Sequence, residues 1–163
     1  MGLDMFLMKK KKGIKYTDEE SYESWKSRQL AYWRKANHIH RWFVENIQDN
    51  RDDCGEYLVP KDKLVELRDI CDEIMGSVKL VPSGKTCKIY DWELKKEVDV
   101  PEMIVDNEDL CDDLLPTQSG FFFGGTSYDE WYLDDVKYTR DKINELLDNF
   151  DFNDYEIIYT SSW

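Results

Sequence analysis

Between Leu30 and Gln48 the chain reads LAYWRKANHIHRWFVENIQ, and its apolar residues recur with a helical period. Tyr32, Ala36, Ile39, Phe43 and Ile47 follow at steps of four, three, four and four, the spacing of one buried helical face. At about 100° per residue, Arg34, His38, Arg41 and Glu45 fall on the opposite side as a polar stripe, with Trp33 and Trp42 on its flanks. A central helix over residues 30–48 is therefore expected to organise the fold.

The 163 residues suit a single globular domain, 1–163, long enough to bury a core without staples. With 41% hydrophobic and 14% aromatic residues, the composition is that of a folded chain. No apolar run approaches the ~18–20 residues that a membrane span needs, so no membrane partner is expected. In MGLDMFLMKKKK the lysines follow the apolar patch, the reverse of a secretory signal. Gly2 follows Met1, but Phe6 stands where a myristoylation motif needs Ser or Thr. A cytoplasmic protein is expected. Cys54, Cys71, Cys87 and Cys111 then read as reduced thiols, with no C-x-x-C among them. His38 and His40, two residues apart, point about 200° from each other on a helix, which disfavours a shared metal.

Charge is unevenly placed. Residues 1–48 carry ten basic and six acidic side chains, residues 49–163 twelve and twenty-nine, within a net charge of −13. Such a field repels DNA and RNA, so direct binding to duplex nucleic acid is not expected. Arg34, Lys35 and Arg41 stand out as a local basic group in an acidic chain.

In chain order, Leu3–Met8 reads as a central strand, apolar on both faces, and Lys9–Lys12 as its solvated end or turn. Thr17–Glu20 has the form of a capping box that opens a helix with Tyr22 and Trp25 on one side. Asp49, Asp52 and Asp53 lie in a polar loop without calcium-loop spacing. Pro60 is placed to open a helix whose seam is Leu64, Leu67, Cys71 and Ile74. Residues 77–105 read as an insertion or excursion, with Val78–Val81 and Thr86–Tyr90 flanking a turn at Pro82–Lys85. LLPTQSGFFFGGTSYDEW, residues 114–131, holds three phenylalanines between glycines, a short buried strand or a tight irregular segment. Ser127–Glu130 has the form of a second capping box, ahead of a helix with Tyr132, Val136, Thr139, Ile143 and Leu147 inward. Its G-G-T run lacks P-loop spacing, and no cofactor motif is present.

YEIIYTSSW at the end alternates as a last strand that pairs with the first, with Trp163 packed. The expected fold is α+β: a single domain of three to four helices on one face of a small sheet that includes the N- and C-terminal strands.

GLDM, YWRKANHIHRWF, DDCGEY, LLPTQSGFFFGGTSYDEWY and the final SSW together resemble a family of small proteins from bacteriophages and prophages. The blocks cover most of the chain and thin out over residues 77–105. The resemblance implies expression inside a bacterial host cell. By analogy with other small phage proteins it points to antagonism of a host defence, and it transfers no catalytic residue.

Three functional readings compete. In the first, the protein sequesters a small nucleotide-like signalling ligand: Trp33, Trp42, Trp131 or Phe122 stacks the base, while Arg34, Lys35 and Arg41, with His38 beside them, hold phosphate. In the second, C-terminal carboxylates imitate nucleic acid and inhibit a host defence protein. In the third, a small hydrolase uses His38 or His40 as base near Cys54 or Asp53. A monomer and a homo-oligomer both remain open.

Overall fold

The computed structural model describes residues 2–14 and 22–163. The Thr17–Glu20 capping box lies outside the described residues.

Strand β1 (Asp4–Lys11) is followed by α1 (Tyr22–Arg28), β2 (Gln29–Arg34), α2 (Asn37–Asn46), β3 (Tyr57–Leu58) and α3 (Lys61–Ser77). Then come β4 (Leu80–Asp91), β5 (Lys96–Val105), α4 (Glu108–Leu114), α5 (Glu130–Asn149) and β6 (Tyr155–Ser162). The architecture is α+β, with five helices rather than three or four and two antiparallel sheets among the described residues.

The larger sheet runs β2-β1-β6-β3, so the two terminal strands lie side by side at its centre. Asp4 faces Ser162 and Lys11 faces Tyr155 across an unbroken antiparallel register. Leu3, Met5 and Leu7 are fully buried, and Met8 joins them after a bulge between Leu7 and Met8. Phe6 turns the other way, with its ring 5.4 Å from Trp25 and 5.2 Å from Tyr32. The strand ends within the lysine run as expected, with pairing through Lys11 and a turn at Lys12, both exposed.

The expected helix over residues 30–48 is corrected at its start. Leu30–Arg34 is strand, paired to β1 from Met8–Gln29 to Asp4–Arg34. A period of two was hidden inside the helical pattern: Ala31 and Trp33 are buried while Tyr32 and Arg34 face solvent. Lys35 breaks the strand in the left-handed conformation, φ 60°. Helix α2 then buries Ala36 at its N-cap, Ile39 and Phe43 as the spacing predicts, and also His38, His40 and Trp42.

Helices α3 and α5 pack on one another and supply the seams expected of them, with Leu146 more deeply placed than Leu147. Pro60 opens α3 as expected, standing at its N-cap with its carbonyl accepting from the Leu64 amide at 3.2 Å. Asp129, not Ser127, caps α5, accepting from the Tyr132 amide at 3.1 Å.

Residues 80–105 form a two-stranded hairpin whose turn is at Trp92–Lys95, not at Pro82–Lys85. Asp91 builds that turn by accepting from the Glu93 and Leu94 amides, both at 2.9 Å. The Pro-Ser-Gly-Lys signal instead marks an irregularity within β4, where Gly84 takes φ +84°. The base of the hairpin is fixed to the start of α5: the Val105 amide donates to Tyr128 O at 2.9 Å, and Ile104 bridges Asp129.

The three phenylalanines form no strand. Phe123 is buried, Phe122 half-buried and Phe121 exposed. Trp163 is only half packed, at 46% exposure, and its indole N–H donates to Asp52.

Candidate functional site

The junction of β2 and α2 meets the loop before α5 at a cavity of about 450 Å³. Arg34, Lys35 and His38 reach it from the junction, and Trp131, Asp134 and Asp135 from the first turns of α5. Residues 116–127 close it from a third side, held by Asn37. That buried amide donates to Phe123 O at 2.9 Å and Gly125 O at 2.7 Å, and accepts from the Gln118 amide at 2.8 Å.

Lys35 is placed by its backbone. A lysine at φ 60° costs about 1 kcal/mol against an extended residue. Its amide compensates by donating to Leu3 O at 2.7 Å. Two glycines lie against its side chain: a Cβ at Gly2 would come within 3.1 Å of Lys35 Cε, and one at Gly124 within 3.1 Å of Lys35 Cβ. Among the described residues Lys35 has no ion-pair partner. Arg34 does have one, with Nη1 3.0 Å from Asp4 Oδ1, and the Tyr32 hydroxyl donates to the same carboxylate. That bond, with burial behind it, raises the Tyr32 hydroxyl above its usual range.

His38 lies at the inner wall. Its ring sits 4.3 Å from that of Tyr132, and its Nε2 is buried without a hydrogen-bond partner. Burial pushes the imidazole down to about 3, so the ring is neutral at pH 7. A neutral imidazole among the lining residues has one donor and one acceptor nitrogen, and Nε2 is the one left without a partner. Across the cavity, burial first, and then Asp134 and Asp129, push the Asp135 carboxyl up to about 7. Trp131 stands at the rim, 73% exposed. The site is thus cationic at one end, acidic at the other, with a neutral buried ring and a solvent-facing indole between.

Of the residues proposed from sequence, Arg34, Lys35, His38 and Trp131 come together here. Trp33 does not, because it is 2% exposed and its indole N–H is committed to Thr139 Oγ1 at 2.9 Å, so it has no face to stack a ligand. Arg41 and Trp42 line a separate cavity of about 280 Å³, with His38 bordering both. Arg41 is held there by Glu45 at 2.7 Å and donates to Thr117 O. Phe122 packs against the core in the loop, and its carbonyl accepts from the Leu3 amide.

His40, grouped from the sequence with Asp53 or Cys54, has both ring nitrogens taken up by other partners. His40 is fully buried between the Tyr159 hydroxyl, 2.6 Å from Nδ1, and Asp52, 3.0 Å from Nε2. Asp53 is occupied by the Gly55 amide and the Tyr57 hydroxyl, both at 2.9 Å, which hold its carboxyl below the usual range. All four cysteines are free thiols. Among the described residues no cluster of His, Cys, Asp and Glu could hold a metal ion, and no helix is long and apolar enough to cross a membrane.

Sequence reasoning missed Asn37 and Asp135. Asn37 stands two residues beyond the left-handed Lys35, a conformation the sequence does not mark, so its role as a loop clamp was hidden. The Asp134-Asp135 pair on an amphipathic helix carried no signal for burial. No protein-family model matches the chain, and neither does any curated protein or solved structure.

Proposed function

We propose that the protein binds and sequesters a small nucleotide-like ligand in the cavity between the β2–α2 junction and the start of α5. The observation that carries this reading is the convergence on one cavity of Lys35, which has no ion-pair partner among the described residues, the exposed Trp131 and the neutral ring of His38. Lys35 and Arg34 supply the charge that holds phosphate. The Trp131 indole offers a face to a base. The His38 imidazole and the Asp135 carboxyl are the polar side chains nearest to hand for the edge of that base. A cavity of about 450 Å³ is in the range of sites that hold small ligands.

The phage resemblance gives the activity its setting, a protein that removes a signalling nucleotide from a host defence inside the bacterial cell. The nucleic-acid mimic is less well supported. The outward carboxylates of α3 and α5 are interlaced with cations, Arg68 with Asp69 and Asp72, Arg140 with Asp141, and Lys142 with Glu145. Their surface stays acidic, eleven carboxylates against six cations over the two helices, but the interlaced cations break up the continuous anionic row that a phosphate mimic requires.

The test is calorimetric titration with AMP, adenosine and inorganic phosphate. AMP is expected to bind at least about tenfold more tightly than adenosine, a difference of about 1.4 kcal/mol from the phosphate contacts. Trp131→Ala and Lys35→Ala each weaken it. No heat with AMP, or equal binding of AMP and adenosine, overturns the reading.

A further inference from the structure

Beyond Trp131 the surface does not close. A second cavity, of about 320 Å³, opens between the hairpin and the first turns of α5, and it shares Asp129, Trp131 and Asp134 with the first. Its walls differ in character. Ile89, Val100 and Met103 give it an apolar wall, and among the described residues Glu102 and Glu130 join the shared aspartates as its charged groups. The two cavities are held in fixed relation by the Ile104–Asp129 bridge and the Val105–Tyr128 hydrogen bond at the base of the hairpin. The Trp131 side chain, 73% exposed, has no ring contact and no hydrogen bond among the described residues, which leaves the indole free to meet a ligand at the boundary.

We propose that this second cavity is a subsite for a flat cationic ring, and that the ligand of the first cavity carries such a ring past Trp131. The inference rests on the nucleotide reading of the first cavity and adds the chemistry of the other half of the molecule. Carboxylates beside an apolar wall repel a second phosphate and attract a positive charge. The face of an indole is the best aromatic partner for a cation. The ligand class is therefore a nucleotide joined to a pyridinium-type ring, with phosphates on the Lys35 side and positive charge on the Glu102 side.

Cys87 provides the readout. It is an exposed thiol on the wall of the second cavity, Cys54 is an exposed thiol elsewhere, and burial pushes Cys71 and Cys111 up to about 12 and about 11, out of reach of mild alkylation. Iodoacetamide alkylation of Cys87, measured against Cys54, is followed with three similar rings: 1-methylnicotinamide (cation), nicotinamide (neutral) and nicotinate (anion). The cation is expected to protect Cys87 at a concentration at least about tenfold below that needed for the anion. NAD⁺, in which a pyrophosphate joins AMP to the ribose that bears the same nicotinamide ring, is expected to protect at least about tenfold better still, because linkage raises the effective concentration of the ring. Trp131→Ala, a change at an exposed position, removes the protection.

Equal protection by the three rings, or none by the cation, overturns the subsite. Protection by NAD⁺ no better than by the free ring overturns the joined ligand, as does full protection in Trp131→Ala. AMP binding with Cys87 left open by the cation overturns this inference alone. Failure of AMP to bind in the calorimetric titration overturns the nucleotide reading on which it rests.

Discussion

The Tyr159 hydroxyl lies 2.6 Å from His40 Nδ1, in the interior where the last strand crosses helix α2. The other ring nitrogen of His40 faces Asp52 Oδ2 at 3.0 Å, and Asp52 Oδ1 accepts the Trp163 indole N–H at 3.0 Å. A proton on Nε2 satisfies the whole chain, since Nε2–H donates to Asp52 and Nδ1 accepts from Tyr159. The ring of Tyr159 also stacks flat on Phe43, centroids 4.0 Å apart and planes 9° apart. One side chain of β6 thus joins helix, loop and C-terminus.

Tyr159→Phe keeps the stack and deletes the hydroxyl. His40 Nδ1 is then buried without a partner, which costs about 1–3 kcal/mol. Urea denaturation is expected to show that loss with an unchanged m-value. A loss below about 0.5 kcal/mol would mean that water replaces the hydroxyl at His40.

Deleting Ser161–Trp163 removes two register pairs, Asp4–Ser162 and Met5–Ser161, together with the Trp163–Asp52 bond. Met5 is fully buried and would be uncovered at the end of the central strand. A destabilisation of about 2 kcal/mol is expected, of the order of a large-to-small core change. An unchanged melting temperature would show that the terminal strands are held by the remaining pairs alone.

The pairing of the terminal strands was legible because its two signals are local: apolar residues on both faces of Leu3–Met8, and alternation through Tyr155–Thr160. The start of α2 was not. Tyr32 and Ala36 satisfy both a period of two and a period of 3.6, and a left-handed Lys35 carries no mark in the sequence. The basic end of the site was legible for a related reason. Arg34, Lys35 and His38 are so close in the chain that helix and strand–turn–helix alike bring them near one another. The acidic end required knowing which face of α5 meets the cavity. For tryptophan, composition alone does not separate Trp33, which is buried, from Trp131, which is exposed.

His38 and Asp135 should impose opposite pH dependences on stability. The His38 imidazole is pushed down to about 3, so between about 6.5 and 3 the unfolded chain holds a proton the folded one refuses, and stability falls with acid. The Asp135 carboxyl is pushed up to about 7, so between about 3.9 and 7 the folded chain holds the extra proton, and stability falls with base. Over pH 4–6.5 the two slopes oppose one another. Asp135→Asn exposes the His38 slope, up to about 1.4 kcal/mol lost per pH unit toward acid, and His38→Phe exposes the reverse. Denaturant melts of both variants between pH 4 and 7 measure the difference. Parallel curves would mean that neither group is shifted by its cavity.

Lys35 offers the sharpest separation of binding from folding. Its backbone is left-handed, a conformation glycine adopts without the Cβ penalty that lysine incurs. Lys35→Gly relieves that strain, while it loses the stem that lies against Gly2 and Gly124 and gains entropy in the unfolded chain. These contributions oppose each other, so stability is expected to stay within about 1 kcal/mol of the parent. The amide bond to Leu3 O is retained, so the β2–α2 junction stays in place. The charge facing the cavity is gone. Arg34 remains, but it is shared with Asp4 and cannot turn fully to a phosphate without leaving that partner. AMP affinity should therefore drop at least about tenfold while the melting temperature stays near the parent value. Lys35→Arg is the companion variant. It keeps the charge and the backbone strain, and it should retain most of the binding if charge is what the site uses. Unchanged AMP affinity in Lys35→Gly would show that the left-handed turn is only a means of ending β2, and that phosphate is held elsewhere.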